Sequence, residues 1–169
     1  MTIARSSSLA FVVAAATALS GWAMAGTPAL AQTKQAAQSK PSKPAADAQH
    51  KVAIQVNQND KAVMDLALNN AKNIADYFKS KGETVAIELV AYGPGLHMLR
   101  SDTSPVKERI SVMSLENPNM TFAACGNTQA NQEKAENKPV TLISEAKVTP
   151  SGVVRLMELQ KQGFAYIRP

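Results

Sequence analysis

Cys125 is the residue whose type and surroundings best suit chemistry. It is the only cysteine in a chain of 169 residues, and it stands between the apolar residues 122–124 and the polar, turn-forming residues 126–128. A thiolate is a strong nucleophile, so an isolated thiol at such a boundary predicts a reactive cysteine. A buried, inert cysteine is the alternative, because free cysteine is among the most buried residue types.

The loop that follows the cysteine supplies further candidate groups. Gly126 leaves the sulfur accessible, while the side chains of Asn127 and Thr128 can cap a helix or hydrogen-bond a ligand. His97 is placed to act as a general base or an ion partner for Cys125, or it is a loop histidine without a role. These residues are therefore candidates for organising an anion around the sulfur.

A second polar segment follows another predicted strand. Gly93-Pro94-Gly95, which comes directly after Tyr92, offers backbone amides that could form a nest for an anion, although a plain turn explains it as well. The segment does not fit the dinucleotide-binding fingerprint. Asn57, in the loop after the first predicted strand, completes the candidate ligand-binding set with Tyr92, Gly93 and Gly95.

Several kinds of chemistry lack the residues they need. Of the two histidines, His50 is expected in the N-terminal tail, so a histidine-based metal centre lacks ligands; no metal and no cofactor are expected. A dithiol oxidoreductase needs a second cysteine, and serine hydrolysis needs a nucleophile elbow that is missing. Arg100, Arg109 and Arg168 can pair with carboxylates, hold an anionic substrate or remain solvated.

Apolar periodicity from residue 52 onward predicts alternating strands and helices. Strands are expected at 52–56, 84–91, 121–124, 146–148 and 164–167, the fourth being the weakest. Helices are expected between Asp60 and Gly82, from Pro105 with Ser104 as cap, at 128–136, and from the cap Thr149-Pro150 to Gly163.

Strands joined by helices of this length need crossover connections, which place parallel strands in one sheet with helices on both faces. The predicted fold class is therefore α/β, with a mostly parallel sheet of about five strands. Ligands bind outside the carboxyl ends of such strands, where Asn57 and residues 93–97, 125–128 and 149–152 are expected to meet. A helix that starts just after Cys125 would lower the pKa of its thiol.

The first 31 residues have the features of a secretory signal peptide. Arg5 precedes an apolar run at 9–19, and Ala29-Leu30-Ala31 is a small-x-small cleavage site, with Ala23-Met24-Ala25 as the alternative. The apolar run is too short to span a bilayer comfortably. We therefore expect a periplasmic or secreted protein with no stable membrane insertion after cleavage, in which an unpaired thiol is unusual.

Residues 32–51 have the composition of a disordered linker, and residues 52–169 that of a single folded domain. The linker is basic, with Lys34, Lys40, Lys43 and Lys51 against Asp47. Residues 52–169 carry 13 basic and 12 acidic side chains, a net charge of only +1. Nucleic-acid binding is not expected, because it would need a basic patch on the folded domain.

Three motifs of the domain resemble the DsrE/DsrF-like family, specifically its exported branch. They are Ala67-Leu68-Asn69-Asn70, Ala91-Tyr92-Gly93-Pro94-Gly95-Leu96, and Phe122-x-Ala124-Cys125-Gly126-Asn127-Thr128. The stretches 150–160 and 163–169 extend the likeness over nearly the whole domain.

The resemblance implies a three-layer α/β/α sandwich that assembles as trimers or hexamers. In sulfur-relay members of the family, a cysteine after a central strand accepts sulfur as a persulfide and passes it on, and Cys125 matches that position. The resemblance thus also implies a partner protein that donates or accepts sulfur.

Three functions from different classes follow. A persulfide carrier or sulfurtransferase-like protein would use Cys125 as sulfur acceptor and needs an accessible thiol of low pKa. A non-catalytic module would bind a small anion or sulfur compound at the strand ends without turnover. An oligomeric interaction protein would keep Cys125 unreactive in its core or interface.

Overall fold

The computed structural model describes residues 48–169, so the predicted signal peptide and nearly all of the predicted linker lie outside the described residues. The elements are β1 (His50–Val56), α1 (Lys61–Ser80), β2 (Val85–Ala91), a 3₁₀-helix (Gly93–Leu99), α2 (Lys107–Glu116), β3 (Met120–Cys125), α3 (Gly126–Glu136), β4 (Ala146–Thr149), α4 (Gly152–Lys161) and β5 (Ala165–Ile167).

The five strands form one sheet in the order β4-β3-β2-β1-β5, and every neighbouring pair is parallel. The predicted α/β class is confirmed, and the sheet is wholly rather than mostly parallel. Val56, Ala91 and Ala124 stand in register at the carboxyl end of the three central strands, and Cys125 pairs with Thr149 of β4. The loops that follow these strands therefore lie along one edge of the sheet, as predicted.

Apolar side chains bury both faces of the sheet, which gives three layers. On one face, Ile54, Leu89 and Phe122 pack in a cluster that includes residues of α1 and α2. On the other face the strands present mostly small residues, and Leu156 and Leu159 of α4 close this second cluster. Because alternate strand residues point to opposite faces, each strand contributes to both clusters.

Residues at its two ends determine where helix α1 begins and stops. Asp60 caps its start, accepting hydrogen bonds from the backbone N–H groups of Ala62 and Val63 at 2.7 and 3.4 Å. Gly82, with a φ of +70°, follows its last turn, a backbone conformation that favours glycine. Its buried face includes Met64 and Leu68, and its other face is polar. None of the helices in residues 48–169 has the length and apolar character needed to cross a membrane.

The first strand begins two residues before its predicted start, which corrects the expected position of His50. His50 belongs to β1 and pairs with Val85, rather than lying in a tail. Its ring stacks on Phe78 with centroids 3.8 Å apart, and its Nε2 lies 2.7 Å from Glu83 Oε2. The contacts of His50 with Phe78 and Glu83 thus accompany an extension of the strand beyond the apolar run that predicted it.

Helix starts differ from the predictions by a few residues. Helix α2 begins at Lys107, so Ser104 lies before the N-cap residue Val106 instead of being the cap itself. The Ser104 hydroxyl donates a hydrogen bond to Met98 O and accepts one from Val106 N. Helix α4 is capped by Ser151, since β4 continues to Thr149. Helix α3 begins at Gly126 instead of residue 128.

Residues 93–95, for which a turn is one expectation, begin a 3₁₀-helix over Gly93–Leu99, with Pro94 in its first turn. Gly95 of this helix lies directly against the backbone of Val56 and Asn57, where a side-chain carbon would collide. The 3₁₀-helix therefore packs tightly over the end of β1.

Candidate functional site

Cys125 ends β3 and is at the same time the N-cap residue of α3, with extended backbone angles of φ −72° and ψ 111°. It is a free cysteine and only 5% exposed. The sulfur therefore lies at the carboxyl edge of the sheet, at the point where β3 ends and α3 begins.

Burial raises the pKa of the Cys125 thiol, but hydrogen bonds to the sulfur outweigh this effect. The Thr128 hydroxyl and the backbone N–H groups of Gly152, Thr128 and Asn127 all bond to the sulfur, and the net result is a pKa below the ordinary value. Donors that point at a sulfur stabilise its negative charge. The surroundings of Cys125 thus favour a thiolate.

Two helix N-termini converge on this sulfur. Asn127 and Thr128 lie in the first turn of α3, and Gly152 is the first residue of α4. The parallel pairing of Cys125 with Thr149 brings the start of α4 beside the start of α3, and Asn127 N also donates to Pro150 O at 3.2 Å. Free N–H groups and the partial positive charge of a helix start both stabilise an anion, and here two helices act together.

Thr128 is oriented by the 3₁₀-helix. The backbone N–H of Gly93 donates to Thr128 Oγ1 at 2.9 Å. Because the hydroxyl accepts this bond, its own single proton remains for the Cys125 sulfur. Gly93 has a φ of +53°, which glycine adopts at little cost. Gly93 therefore acts on the sulfur indirectly, through Thr128.

Tyr92 and Asn57 form the neighbouring wall of the site. The Asn57 side chain hydrogen-bonds to the Tyr92 phenol. Burial is the main cause that raises the pKa of this phenol, and the nearby Tyr166 raises it further. The Tyr92 ring packs against Gly152 so closely that a Cβ there would stand 2.8 Å from Tyr92 Cβ. A glycine at the start of α4 thus lets the helix approach both Tyr92 and Cys125.

Gly126 is equally close to the end of β4. A Cβ on Gly126 would stand 3.2 Å from Val148 Cγ1 and 3.3 Å from Thr149 O. Gly126 therefore allows close packing between α3 and β4.

His97, Arg100 and Arg109 make their polar contacts away from Cys125, whereas the charge of Arg168 acts on Tyr92 and opposes the rise of its pKa. His97 Nδ1 lies 3.5 Å from Thr103 Oγ1, and no hydrogen bond or ion pair joins it to Cys125 within residues 48–169. Arg109 pairs with Asp65 at 3.2 Å, and Arg100 pairs with Asp102 at 2.8 Å and with Glu136. In the part of the chain that the structure describes, no group of three His, Cys, Asp or Glu side chains is placed to hold a metal ion.

Sequence reasoning missed Gly152 as a donor to the sulfur. The signal was present in Ser151-Gly152, a cap residue and a glycine at the start of a helix that follows a strand. Its contribution depends on which strand lies beside β3, and strand order is not readable from the pattern of apolar residues. The sequence therefore indicated one helix N-terminus where the fold supplies two.

Together the fold and the site define an α/β domain of the DsrE/DsrF-like type with one cysteine at the carboxyl edge of its sheet. A solved structure of a protein of unknown function, MTH1491 from Methanobacterium thermoautotrophicum, is similar with a TM-score of 0.60 and 30% sequence identity, covering 71% of this chain and 99% of that chain. The chain belongs to the family of MTH1491.

No protein-family model matches the chain, and no curated protein matches it. The likeness to MTH1491 establishes fold and family, and a fold alone does not define an activity. The activity therefore has to be argued from the site.

Proposed function

We propose that this protein is a persulfide sulfur carrier of sulfurtransferase-like activity, with Cys125 as the sulfur acceptor. The observation that carries the proposal is the set of donors around the sulfur: the Thr128 hydroxyl and N–H groups from the starts of two helices together lower the pKa of the thiol. A nucleophilic cysteine needs its thiolate form near neutral pH, and these donors supply that condition.

The transfer step needs no redox partner. With thiosulfate as donor, the Cys125 thiolate attacks the outer sulfur, the sulfur–sulfur bond breaks, and sulfite leaves with the bonding electron pair. Cys125 then carries a persulfide, whose terminal sulfur bears the negative charge. The N–H groups of Asn127 and Gly152 and the Thr128 hydroxyl are placed to stabilise the anion before and after transfer.

A second candidate function is binding without turnover. It is favoured by the burial of Cys125, which is 5% exposed and therefore hard to reach for a bulky reagent. In that case Asn57, Tyr92 and the starts of α3 and α4 would hold a small anion or sulfur compound, and the thiol would take no part. The experiment below separates the two.

We further propose that the protein is exported as a member of the exported DsrE-like branch, and that it works with a protein that donates or accepts sulfur. Assembly as a trimer or hexamer would cover large apolar side chains that are half exposed on α4. These are Val153, Val154 and Met157, which are 51%, 50% and 53% exposed. Contiguous apolar surface of this kind marks protein interfaces. Sedimentation equilibrium of the purified protein measures the number of copies directly.

The decisive experiment is alkylation of Cys125 by iodoacetamide as a function of pH, followed by mass spectrometry after incubation with thiosulfate or polysulfide. We expect rapid alkylation well below the free-thiol pKa of about 8.5. We also expect a mass gain of about 32 Da, one sulfur atom, which Cys125→Ser abolishes and which a thiol reductant reverses.

A thiol that reacts only after the protein is unfolded would contradict the carrier proposal. If thiosulfate then still raised the melting temperature of Cys125→Ser, binding without turnover would be the function. Rapid alkylation without any sulfur gain from either donor would show a reactive cysteine with a different substrate.

A further inference from the structure

A cavity of about 350 Å³ lies beside β3 and β4, on the sheet face that carries α4. Its walls include Glu88 of β2, Thr121 and Ala123 of β3, Thr149 of β4 and Arg155 of α4. Pockets that hold small organic ligands begin at about this size. Helix α4 packs on β1, β2 and part of β3 on this face. The cavity lies beside the helix, over β3 and β4.

A buried ion pair forms one wall of this cavity. Glu88, 4% exposed, stands in the middle of the otherwise apolar strand β2, and Arg155 reaches it with two hydrogen bonds, Nε to Oε1 at 2.6 Å and NH2 to Oε2 at 2.7 Å. A parallel sheet normally buries apolar residues in this place. Since a buried ion pair contributes little stability relative to an apolar pair, its presence beside a cavity calls for another explanation.

Two carboxylates share the guanidinium of Arg155. Glu88 accepts hydrogen bonds from Nε and NH2, whereas NH1 forms a longer ion pair with Glu158 Oε2 at 3.6 Å. Glu158 is half exposed and also lines the cavity, while Glu88 is buried and keeps the guanidinium fixed. A ligand carboxylate that displaces Glu158 would therefore bind NH1 of a guanidinium that is already held in position.

The cavity leads from this arginine towards the sulfur. Glu88 is in register with Thr121, and Cys125 follows four residues later on the same strand face, a rise of about 13 Å at 3.3 Å per residue. Thr149, which pairs with Cys125, lines the cavity, and the sulfur of Cys125 lies beyond this lining. A ligand that spans both ends therefore needs an anionic group and a sulfur atom about 10–13 Å apart, the length of an extended peptide of three or four residues.

We propose that the cavity binds a short peptide thiol, or its persulfide, with a carboxylate held by Arg155 and the sulfur directed to Cys125. This inference rests on the proposed function. When the persulfide is bound, the Cys125 thiolate attacks the outer sulfur, the sulfur–sulfur bond breaks, and the peptide leaves as a thiolate while the proton stays on the transferred sulfur. A single amino acid such as cysteine is too short to make both contacts.

Calorimetric titration of the full-length Cys125→Ser protein with glutathione tests the binding without disulfide exchange. We expect saturable binding of glutathione, and binding at least roughly tenfold weaker for its diethyl ester, because the charged contact with Arg155 is lost. Free cysteine should show no binding. These comparisons change the ligand and leave the fold of the protein untouched.

A double variant then assigns the site. Glu88→Met with Arg155→Met removes both charges of the buried pair together, and we expect glutathione binding to fall by roughly tenfold or more. The matched control is Lys72→Met with Asp76→Asn, which removes an ion pair of α1 on the opposite sheet face and should leave binding unchanged. Circular dichroism checks that both proteins are folded.

Equal binding of glutathione and its diethyl ester, equal binding of cysteine, or unchanged binding by the folded Glu88→Met/Arg155→Met protein would each overturn the inference. The proposed function and the cavity assignment are distinguished by two different results. If wild-type Cys125 gains no sulfur while the Cys125→Ser protein binds glutathione as described, the cavity assignment stands and the carrier function is wrong. If Cys125 gains sulfur from thiosulfate and the Cys125→Ser protein does not bind glutathione, the carrier function stands and the cavity assignment is wrong.

Discussion

Helices α1 and α3 both follow a strand of the same sheet, but they are held in opposite ways. Helix α1 buries Met64, Ala67, Leu68, Ala71 and Ala75 in the core on one face of the sheet. Helix α3 contains no buried residue at all. It is held by directed polar contacts instead, and it is the helix whose first turn surrounds the sulfur of Cys125.

The polar contacts of α3 run along its whole length. Near the start, Thr128 accepts a hydrogen bond from Gly93, and Gln129 Nε2 donates to Val140 O at 2.8 Å. Further along, Glu133 Oε1 accepts from Val140 N at 3.1 Å, and Glu136 at the end pairs with Arg100. Apolar burial tolerates small shifts of a helix, whereas hydrogen bonds fix distance and direction. We infer that α1 supplies most of the stability and α3 supplies the precise position of the donors to Cys125.

The largest effect should come from the core of α1. Leu68 is fully buried, and Leu68→Ala should lower the free energy of unfolding by about 2–5 kcal/mol through lost burial and the cavity that remains. Gln129→Ala in α3 should cost only about 1 kcal/mol, the worth of one hydrogen bond. Urea unfolding of the two variants measures both values, and equal costs would contradict the contrast between the helices.

A more local effect is expected at the end of α3. Arg100→Met removes the guanidinium that pairs with Asp102 and Glu136, but it keeps a long side chain in the buried position. Hydrogen exchange of the α3 amides should quicken roughly tenfold, since a hydrogen bond to a charged group is lost. Amides of α1 should exchange at the wild-type rate. Uniform quickening in both helices would show that Arg100 stabilises the whole domain rather than α3.

The contrast between α1 and α3 also explains what could be predicted from the sequence. The α1 pattern of Val63, Leu66, Ala67 and Ile74 indicates a helix because apolar residues recur at helical spacing. The buried face differs from this set: Met64 and Leu68 belong to it, whereas Leu66 is 45% exposed. The alternation of such helices with apolar strands determines the α/β class. These signals are local, and the structure confirms them to within a few residues at each end.

The contacts of α3 were not predictable in the same way. Its sequence shows only a polar helix, and nothing in it identifies Gly93 or Arg100 as the residues that hold it. The same is true of Gly152 at the sulfur and of the Glu88–Arg155 pair, which joins residues 67 positions apart. Long-range polar pairs depend on strand order, and apolar periodicity does not determine strand order.

Acid should loosen α3 before it affects α1. The pair with Arg100 lowers the pKa of Glu136 from 4.5 to about 2, and it lowers the pKa of Asp102 as well. A carboxyl whose pKa is lower in the folded state stabilises that state fully above its unfolded pKa and loses this contribution as the pH falls through the folded pKa.

We therefore expect the protection of α3 amides to decline from about pH 4.5 to about pH 2, relative to α1. Hydrogen exchange at a series of pH values, corrected for the intrinsic rates, measures this decline. The Arg100→Met protein is the control: Lys138 is then the remaining partner of Glu136, at 3.3 Å, and the relative protection should change much less with pH in this range. A wild-type profile that is flat between these values would mean that the pair does not hold α3.

The smallest effect, and the most informative one for function, is expected at Thr128. Thr128→Val keeps the shape of the side chain and removes the hydroxyl that donates to the sulfur, so the pKa of Cys125 should rise and alkylation at neutral pH should slow by several-fold. Thr128→Ser restores the hydroxyl and should recover the wild-type pH profile.

The remaining N–H donors of Asn127 and Gly152 keep the pKa of Cys125 in Thr128→Val from rising further. The thiolate absorbance near 240 nm, titrated against pH, gives the pKa of each protein directly. The free energy of unfolding in urea should fall by only about 1 kcal/mol, because Thr128 lies outside the core and the main loss is the acceptor for the Gly93 N–H. If Thr128→Val lost stability like Leu68→Ala while the pKa of Cys125 stayed the same, α3 would be an ordinary structural helix, and the division of roles between the two helices would be wrong.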